Sequence, residues 1–370
     1  MKNNIPSNPK VFLGMSGGVD SSTAALLLKK QGFEVFGLYM RLWKEKDSLL
    51  EMKARTEEEN ARRVAKELGI KFRVVDLRKE FKEAIVDYFV SEYERGRTPN
   101  PCVRCNREIK FGLLFKKAME LGADYFATGH YARVRKTAIT SGGRKKEVYR
   151  LLKAKDISKD QSYFLYNLDQ KILQKTFFPL GEYAKTEVRE IARDNGLSVH
   201  DKAESQEVCF IADKYYGEFL MRMKAEMRPG EIVDEEGRVL GEHRGLPLYT
   251  LGQRRDIRIG GTGPYFVIGM DRKANRLIVS RNGESKRLFA KKFALCDVNW
   301  VAGKPEKLPF RVRAKTRYRM EAVEALIWKE KGRIVAELEK KSRAVMPGQS
   351  AVFYIRNEVI GGGVIDRILE

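Results

Sequence analysis

Five residues that run straight into a serine- and glycine-rich turn limit the folds open to this chain more than any other stretch: Val11-Phe12-Leu13-Gly14-Met15, then Ser16-Gly17-Gly18-Val19-Asp20-Ser21-Ser22. The short apolar run reads as a buried strand. Ser22 to Lys30 reads as a helix that stops near Gly32. A strand that turns through glycines directly into a helix opens an α/β layer on a mostly parallel sheet. In such a turn the glycines let the backbone approach a phosphate. The helix N-terminus aims N–H groups and its dipole at the anion. The hydroxyls of Ser16, Ser21 and Ser22 add donors. The lysine of GxxxxGK[ST] is missing, so the loop is not a Walker A motif. Taken alone, the turn also fits a helix start with no ligand.

The same alternation continues. Phe33 to Met40 predicts a second strand, and Ala61, Val64, Ala65 and Leu68 a helix over Glu57 to Leu68 that stops at Gly69. Ile70 to Asp76 is a third strand. Phe111, Leu114, Phe115, Ala118 and Met119 form a helical stripe that closes at Gly122. Tyr125 to Thr128 is a strand leading into Gly129-His130-Tyr131, and Val188, Ile191 and Ala192 mark a helix before Gly196. Beyond about Tyr216, prolines and glycines cluster (Pro229-Gly230, Gly245-Leu246-Pro247, Gly260 to Pro264), which predicts a smaller unit of short strands and loops. From about Arg287, six strand-like pieces follow: Phe293 to Trp300, Phe310 to Tyr318, Ala322 to Trp328, Arg333 to Leu338, Ser350 to Ile355 and Val359 to Ile365. Their spacing suits a small β-barrel. A chain of 370 residues is too long for one core. The expected division is 1–215, 216–286 and 287–370.

Lys and Arg number 72 against 50 Asp and Glu, a formal net charge of +22. A small anionic substrate does not call for such an excess; a polyanion does, because each neutralised phosphate releases counterions. A charged surface that keeps a heat-adapted protein soluble is the plainer reading. Arg311, Arg313, Lys315, Arg317 and Arg319 alternate, which predicts five cations on one face of one strand, set for phosphate contact or for protecting a sheet edge. Met1 to Lys10 is polar and no long apolar run follows, so a cytoplasmic protein without membrane contact is expected.

Four cysteines are too few for a disulfide scaffold. Cys102 and Cys105 form a CxxC in Pro99-Asn100-Pro101-Cys102-Val103-Arg104-Cys105. Cys105 is expected near a helix N-terminus, with Arg104 and Arg107 favouring its thiolate. Cys209 sits in a loop and is ambiguous by itself. Cys296, in Phe293-Ala-Leu-Cys-Asp-Val, reads as core with no charged partner on its face. His130 reads as a structural residue near the nucleotide.

The SGGxDSS loop resembles the PP-loop of the adenylating ATP pyrophosphatases, which bind the pyrophosphate of ATP and transfer AMP. That group also contains amidating synthetases, so the loop alone does not name a substrate. Five further segments narrow it: CNREIKFG, ATGHYARV, KDQSYFLY, GLPLYTLGQR and MPGQ. With GMSGGVDSS, and in this order over nearly the whole chain, they resemble the bacterial tRNA-specific 2-thiouridylases (the MnmA/TrmU family). The resemblance implies an α/β fold with a Rossmann-like PP-loop ATP pyrophosphatase domain of the adenine nucleotide alpha hydrolase-like kind. A small central domain and a C-terminal, tRNA-binding β-barrel would follow.

It also implies roles. Gly14, Met15, Ser16, Gly17, Gly18, Val19, Asp20, Ser21, Met40 and Gly129 match positions that bind ATP. Asn100, Pro101 and the residue at 102 match the segment around the target base, and Lys159-Asp160-Gln161 and Arg317-Tyr318 match tRNA contacts. Cys105 matches the nucleophile and Cys209 the persulfide carrier. The implied reaction uses ATP and Mg²⁺ to adenylate the C2 carbonyl of wobble uridine 34 in the anticodon loop of tRNA; sulfur then displaces AMP. One position departs from the better-known pattern. Many relatives carry Asp where this chain has Cys102, and a thiol does not replace a carboxylate as acid or base. Two sulfur routes stay open: a persulfide on Cys209 filled by a sulfur-donor protein, or hydrosulfide on a [4Fe–4S] cluster held by Cys102, Cys105 and Cys209 and filled by free sulfide. Zinc is a third, without a visible fourth ligand. A PP-loop synthetase acting on a small molecule and an RNA-binding module with a relic loop are the competing functions.

Overall fold

The computed structural model describes residues 8–43, 49–141, 144–203, 208–211, 216–260, 264–305 and 307–370. Seven strands lie in the first part of the chain: β1 (Lys10–Gly14), β2 (Glu34–Arg41), β3 (Lys71–Asp76), β4 (Tyr125–Thr128), β5 (Ala132–Ser141), β6 (Arg144–Lys153) and β7 (Thr176–Phe177). Five of them make a parallel sheet in the order β3-β2-β1-β4-β7. Strand β1 is central and buried on both faces: Val11 and Leu13 join the core under helix α1 (Val19–Lys30), and Phe12 joins the opposite one. That is why its sequence is unbroken apolar rather than alternating. Helix α2 (Leu49–Glu67) covers the same side as α1 through Ala61 and Val64.

Strands β8 (Gly230–Val233), β9 (Val239–His243), β10 (Phe266–Asp271) and β11 (Arg276–Ser280) make a small sheet in the order β10-β11-β8-β9 around Ile232, Val267, Leu277 and Val279. Then β12 (Phe289–Trp300), β13 (Phe310–Lys315), β14 (Val323–Glu330), β15 (Arg333–Arg343), β16 (Ser350–Ile355) and β17 (Glu358–Ile368) run in the order β12-β15-β14-β13-β16-β17, and β12 pairs with β17 to close a barrel. Alternate residues such as Val312 and Ala314, and Ala325 and Ile327, fill its interior. The expected α/β sheet, small central unit and C-terminal barrel are all present.

One element lies outside the expected set, and one expectation fails. The β5–β6 hairpin went unpredicted, yet it extends the barrel sheet: Leu152 lies opposite Glu358 and Leu151 opposite Val359, with Arg150 Nη1 2.6 Å from Glu358 Oε1. Its partner strand is some 200 residues away (Arg150 and Glu358 are 208 apart), so local pattern carries little of it. The five alternating cations do not share a strand face either. Strand β13 stops at Lys315 and the chain bends at buried Thr316, so only Arg311, Arg313 and Lys315 keep the alternation.

A cavity that joins the phosphate loop to the cysteines

One cavity of about 1290 Å³ collects most of the residues singled out above. Gly14, Met15, Ser16, Gly18, Val19, Asp20 and Ser21 line one end, with Met40 from β2 and Gly129 from the end of β4. Gly17 is behind the lining. Its φ is +71°, and a Cβ there would lie 2.0 Å from the carbonyl oxygen of Glu57 on α2, so only glycine lets the loop pass beneath that helix. The loop is braced by Ser21 Oγ, which accepts from Ser16 N at 3.1 Å. Ser22 is fully buried and donates to the Gly18 carbonyl at 2.9 Å, so it is not the ligand donor expected of it. Gly18 caps α1 with no side chain, which leaves the first N–H groups of the helix facing the cavity lining.

Three groups missed in the sequence meet at this end. Lys185 is buried, 8% exposed, and its Nζ lies 2.6 Å from Asp20 Oδ1, where Tyr131 OH also donates at 2.8 Å. Lys202 donates to the Gly17 carbonyl at 3.1 Å. Burial holds its ammonium below the ordinary lysine range, although Glu57 pulls the other way. The loop without a Walker lysine thus draws its cations from residues more than 160 positions away. Both of these hydrogen bonds to Asp20 fall on Oδ1.

The thiols line the same cavity. Asn100 accepts from Val103 N at 3.2 Å and caps helix α3 (Pro101–Cys105), with Pro101 at its first position. Helix α3 continues without a break into a wide-turned π-helical stretch, Asn106–Leu114, and then Phe115–Glu120. Pro101, Cys102 and Cys105 line the cavity, and so does Cys209. Phe210 anchors the Cys209 turn among Phe81, Phe89 and Phe219, at centroid distances of 5.2 to 5.6 Å. Residues 204–207, part of the segment quoted around Cys209, lie outside the described residues.

Three family models match consecutive parts of the chain: a tRNA methyl transferase HUP domain over residues 9–213, a tRNA methyl transferase PRC-barrel domain over 217–281 and an aminomethyltransferase beta-barrel domain over 290–365. Full-length relatives are named for thiolation. The tRNA-specific 2-thiouridylase MnmA of Clostridioides difficile (strain 630) is 42% identical over 98% of this chain and 99% of its own. The tRNA-specific 2-thiouridylase MnmA 2 of Thermoanaerobacter sp. (strain X514) is 45% identical over the same shares. The chain belongs to the tRNA-specific 2-thiouridylase family. A solved 4-thiouridine synthetase–RNA complex with bound ATP is similar at 18% identity over 58% of this chain and 50% of that one, with a TM-score of 0.37, too distant to bear on function.

In this 2-thiouridylase the segments expected at the tRNA divide. Lys159, Asp160, Gln161 and Tyr318 line the cavity, and Arg317 does not. Asp160 is buried and accepts from Ala154 N, Ser162 N and Ser162 Oγ, and Gln161 Oε1 accepts from Tyr131 N at 3.0 Å, so both hold their own loop together. Arg317 Nε donates to the Ala344 carbonyl at 3.1 Å. The Tyr318 ring packs tilted against Phe164 at a centroid distance of 4.4 Å, and Lys315 and Arg319 also line the cavity.

The electrostatics of the thiols correct another expectation. Cys105 is the last residue of α3 inside a continuous helix, not at a helix start. Arg104 lies over the Tyr88 ring at 4.0 Å, and Arg107 pairs with Glu108 at 3.4 Å. Burial pushes the Cys105 thiol up to about 11, with Lys110 the cation that opposes it. Burial likewise raises Cys102, and it raises Cys209 further, with Cys105 and Cys102 adding to the rise. Cys102 and Cys209 have exposed surface, and both line the cavity. The three thiols therefore sense one another. Among the described residues no three Cys, His, Asp or Glu are gathered closely enough to hold a single metal ion, a tighter grouping than the thiolates around a [4Fe–4S] cluster require. Cys296 is half-buried on β12, and Asp297, Asp366 and Arg97 act on it, so the predicted uncharged setting is wrong. His130 bonds Thr128 Oγ1 at 2.8 Å, and burial holds its ring well below the ordinary histidine range, neutral.

Proposed function

We propose that this thiouridylase adenylates the C2 carbonyl of uridine 34 in the anticodon loop of tRNA and replaces its oxygen by sulfur. The single observation that carries the reading is one cavity lined both by the phosphate loop and by Cys102, Cys105 and Cys209. Gly14 to Ser21, Met40 and Gly129 hold ATP with its Mg²⁺, and Lys185 and Lys202 face its phosphates. The uracil O2 attacks the α-phosphorus and pyrophosphate leaves. A base in a single-stranded loop reaches such a cavity without breaking a duplex. Sulfur then adds at C2, the C2–O bond breaks, and AMP departs.

Cys209 carries the sulfur as a persulfide supplied by a sulfur-donor protein. Its terminal sulfur adds to C2, the thiol of Cys105 attacks the Cys209 sulfur, and the S–S bond breaks. That leaves 2-thiouridine and a Cys105–Cys209 disulfide, which a cellular thiol reduces. Asn100, Pro101 and Cys102 surround the base, and Lys159-Asp160-Gln161 and Arg317-Tyr318 stand toward the RNA. The reducing cytoplasm suits this chemistry, with residues 1–215 as catalytic unit, 216–286 as central unit and 287–370 as tRNA-binding barrel.

The test is anaerobic purification with iron and sulfide quantified, followed by thiolation assays scored by nucleoside mass spectrometry, with a persulfide donor and with free sulfide. The expected result is activity from the persulfide donor with iron near zero. Cys105→Ala and Cys209→Ala should each abolish 2-thiouridine while tRNA affinity stays within about 3-fold, a change under ~1 kcal/mol. Stoichiometric iron with activity from free sulfide would replace the persulfide route. Oxygen-free protein that forms no 2-thiouridine from tRNA and ATP with either sulfur source would end the reading.

A further inference from the structure

Asn106 is 4% exposed, lines the cavity, and has a side-chain Oδ1 with no hydrogen-bond partner among the described residues. It stands on one helical face, Pro101, Cys102, Cys105, Asn106, Lys110 and Leu114, that runs the length of the cavity wall. The far end of that face reaches the phosphate loop: a Cβ on Gly14 would lie 3.6 Å from Leu114 Cδ2. A base whose C2 meets a phosphorus at one end and a sulfur at the other lies against the middle of this face, where Asn106 is the one carboxamide. Nothing in folding explains it. Asparagine is a modest helix former, and a buried acceptor left unpaired costs stability that alanine would avoid.

The missing partner is a donor brought by the substrate. Uracil offers one on its ring, N3–H, adjacent to C2. We propose that Asn106 recognises the target base by accepting the N3–H hydrogen bond at Oδ1, which selects uracil over cytosine. Cytosine presents a lone pair at N3, so two acceptors would face each other. Lys110, the neighbouring polar side chain on this face, only donates and cannot make the distinction. The inference rests on the thiolation reading and adds the group that chooses the base.

The experiment uses the full-length enzyme, oxygen-free, with ATP, a persulfide donor and tRNA carrying uridine or 3-methyluridine at position 34. The wild type should thiolate the 3-methyl substrate with kcat/KM lower by at least ~100-fold, as sites built to pair an N–H reject its analogues. Asn106→Ala, which removes the acceptor and leaves room for the methyl group, should bring the ratio of the two substrates to within about 3-fold through loss on uridine. Asn106→Asp, which keeps an acceptor, should retain the discrimination. Unchanged ATP and tRNA affinities in the variants report an intact fold. Equal rates for both substrates in the wild type, or undiminished discrimination in Asn106→Ala, would overturn the assignment. Wild type that makes no 2-thiouridine from uridine would instead refute the thiolation reading, and this inference with it.

Discussion

Cys105 shows how much a single thiol depends on what surrounds it. Its sequence neighbours are two arginines, but Arg104 is drawn onto Tyr88 and Arg107 onto Glu108, and the thiol is left against apolar surface with Lys110 as its cation. Burial favours the neutral form, so at neutral pH the ligand-free enzyme holds Cys105 as a thiol and not a thiolate. Alkylation of Cys105 by iodoacetamide should therefore be slow at pH 7, roughly 100-fold slower than an ordinary cysteine for a rise of about 2 pH units in pKa. Its rate should climb about tenfold per pH unit past pH 9, where an ordinary thiol has levelled off. Mass spectrometry of the Cys105 peptide against pH checks this; a plateau below pH 9 would contradict it. In the reaction, the proton leaves as the nucleophile attacks.

Helix α3 and the stretch after it form the element that spans the cavity. Its start is set by local chemistry: Asn100 as cap, Pro101 at the first position, and Gln349 Nε2 bonding the Thr98 and Pro99 carbonyls just before it. Its middle widens into π-turns over Asn106–Leu114, a geometry that recurs at functional sites and that changes which residues share a face. Asn100→Ala removes the cap and should cost about 0.5–2 kcal/mol. The fall should appear as a lower melting temperature and reduced thiolation, with ATP affinity unchanged because the phosphate loop lies on other elements. Loss of ATP binding in this variant would show that the two ends of the cavity are not separately built.

At the scale of the molecule, the barrel is stapled to the catalytic unit. Strand β17 pairs with β6, Tyr163 OH donates to the Ser350 carbonyl at 2.9 Å, and Thr98 N donates to Pro347 O at 2.9 Å. At Gly348, φ is +93° and a Cβ would lie 2.8 Å from the Thr98 carbonyl oxygen, so the barrel loop presses directly on the segment that feeds α3. These contacts carry Lys315, Tyr318 and Arg319 to the same cavity as the cysteines. With a net charge of +22, tRNA binding should be steeply salt dependent. Raising salt from about 50 to 200 mM should weaken it about 10²- to 10³-fold if some five phosphates are contacted, while ATP affinity moves far less. Filter binding across a salt series measures the slope. A flat slope would favour a small-molecule synthetase.

Much of this protein is legible from residues that are close in sequence. The strand, glycine turn and helix at Val11 to Lys30, the six barrel strands, and the helical stripe from Phe111 to Met119 all follow from hydrophobic period, turn chemistry and short motifs, which act over a few residues. The rest depended on groups that meet only when the chain folds back. Lys185 reaches Asp20 across 165 positions, β6 finds its partner strand across some 200, and the ionisation of Cys105 is set by packing that no local charge pattern reveals. Covalent spacing sets local conformation. Desolvation and long-range pairing belong to the assembled core, and they decided where the cations stand, which strand extends the barrel sheet, and that burial keeps the cavity thiols in neutral form.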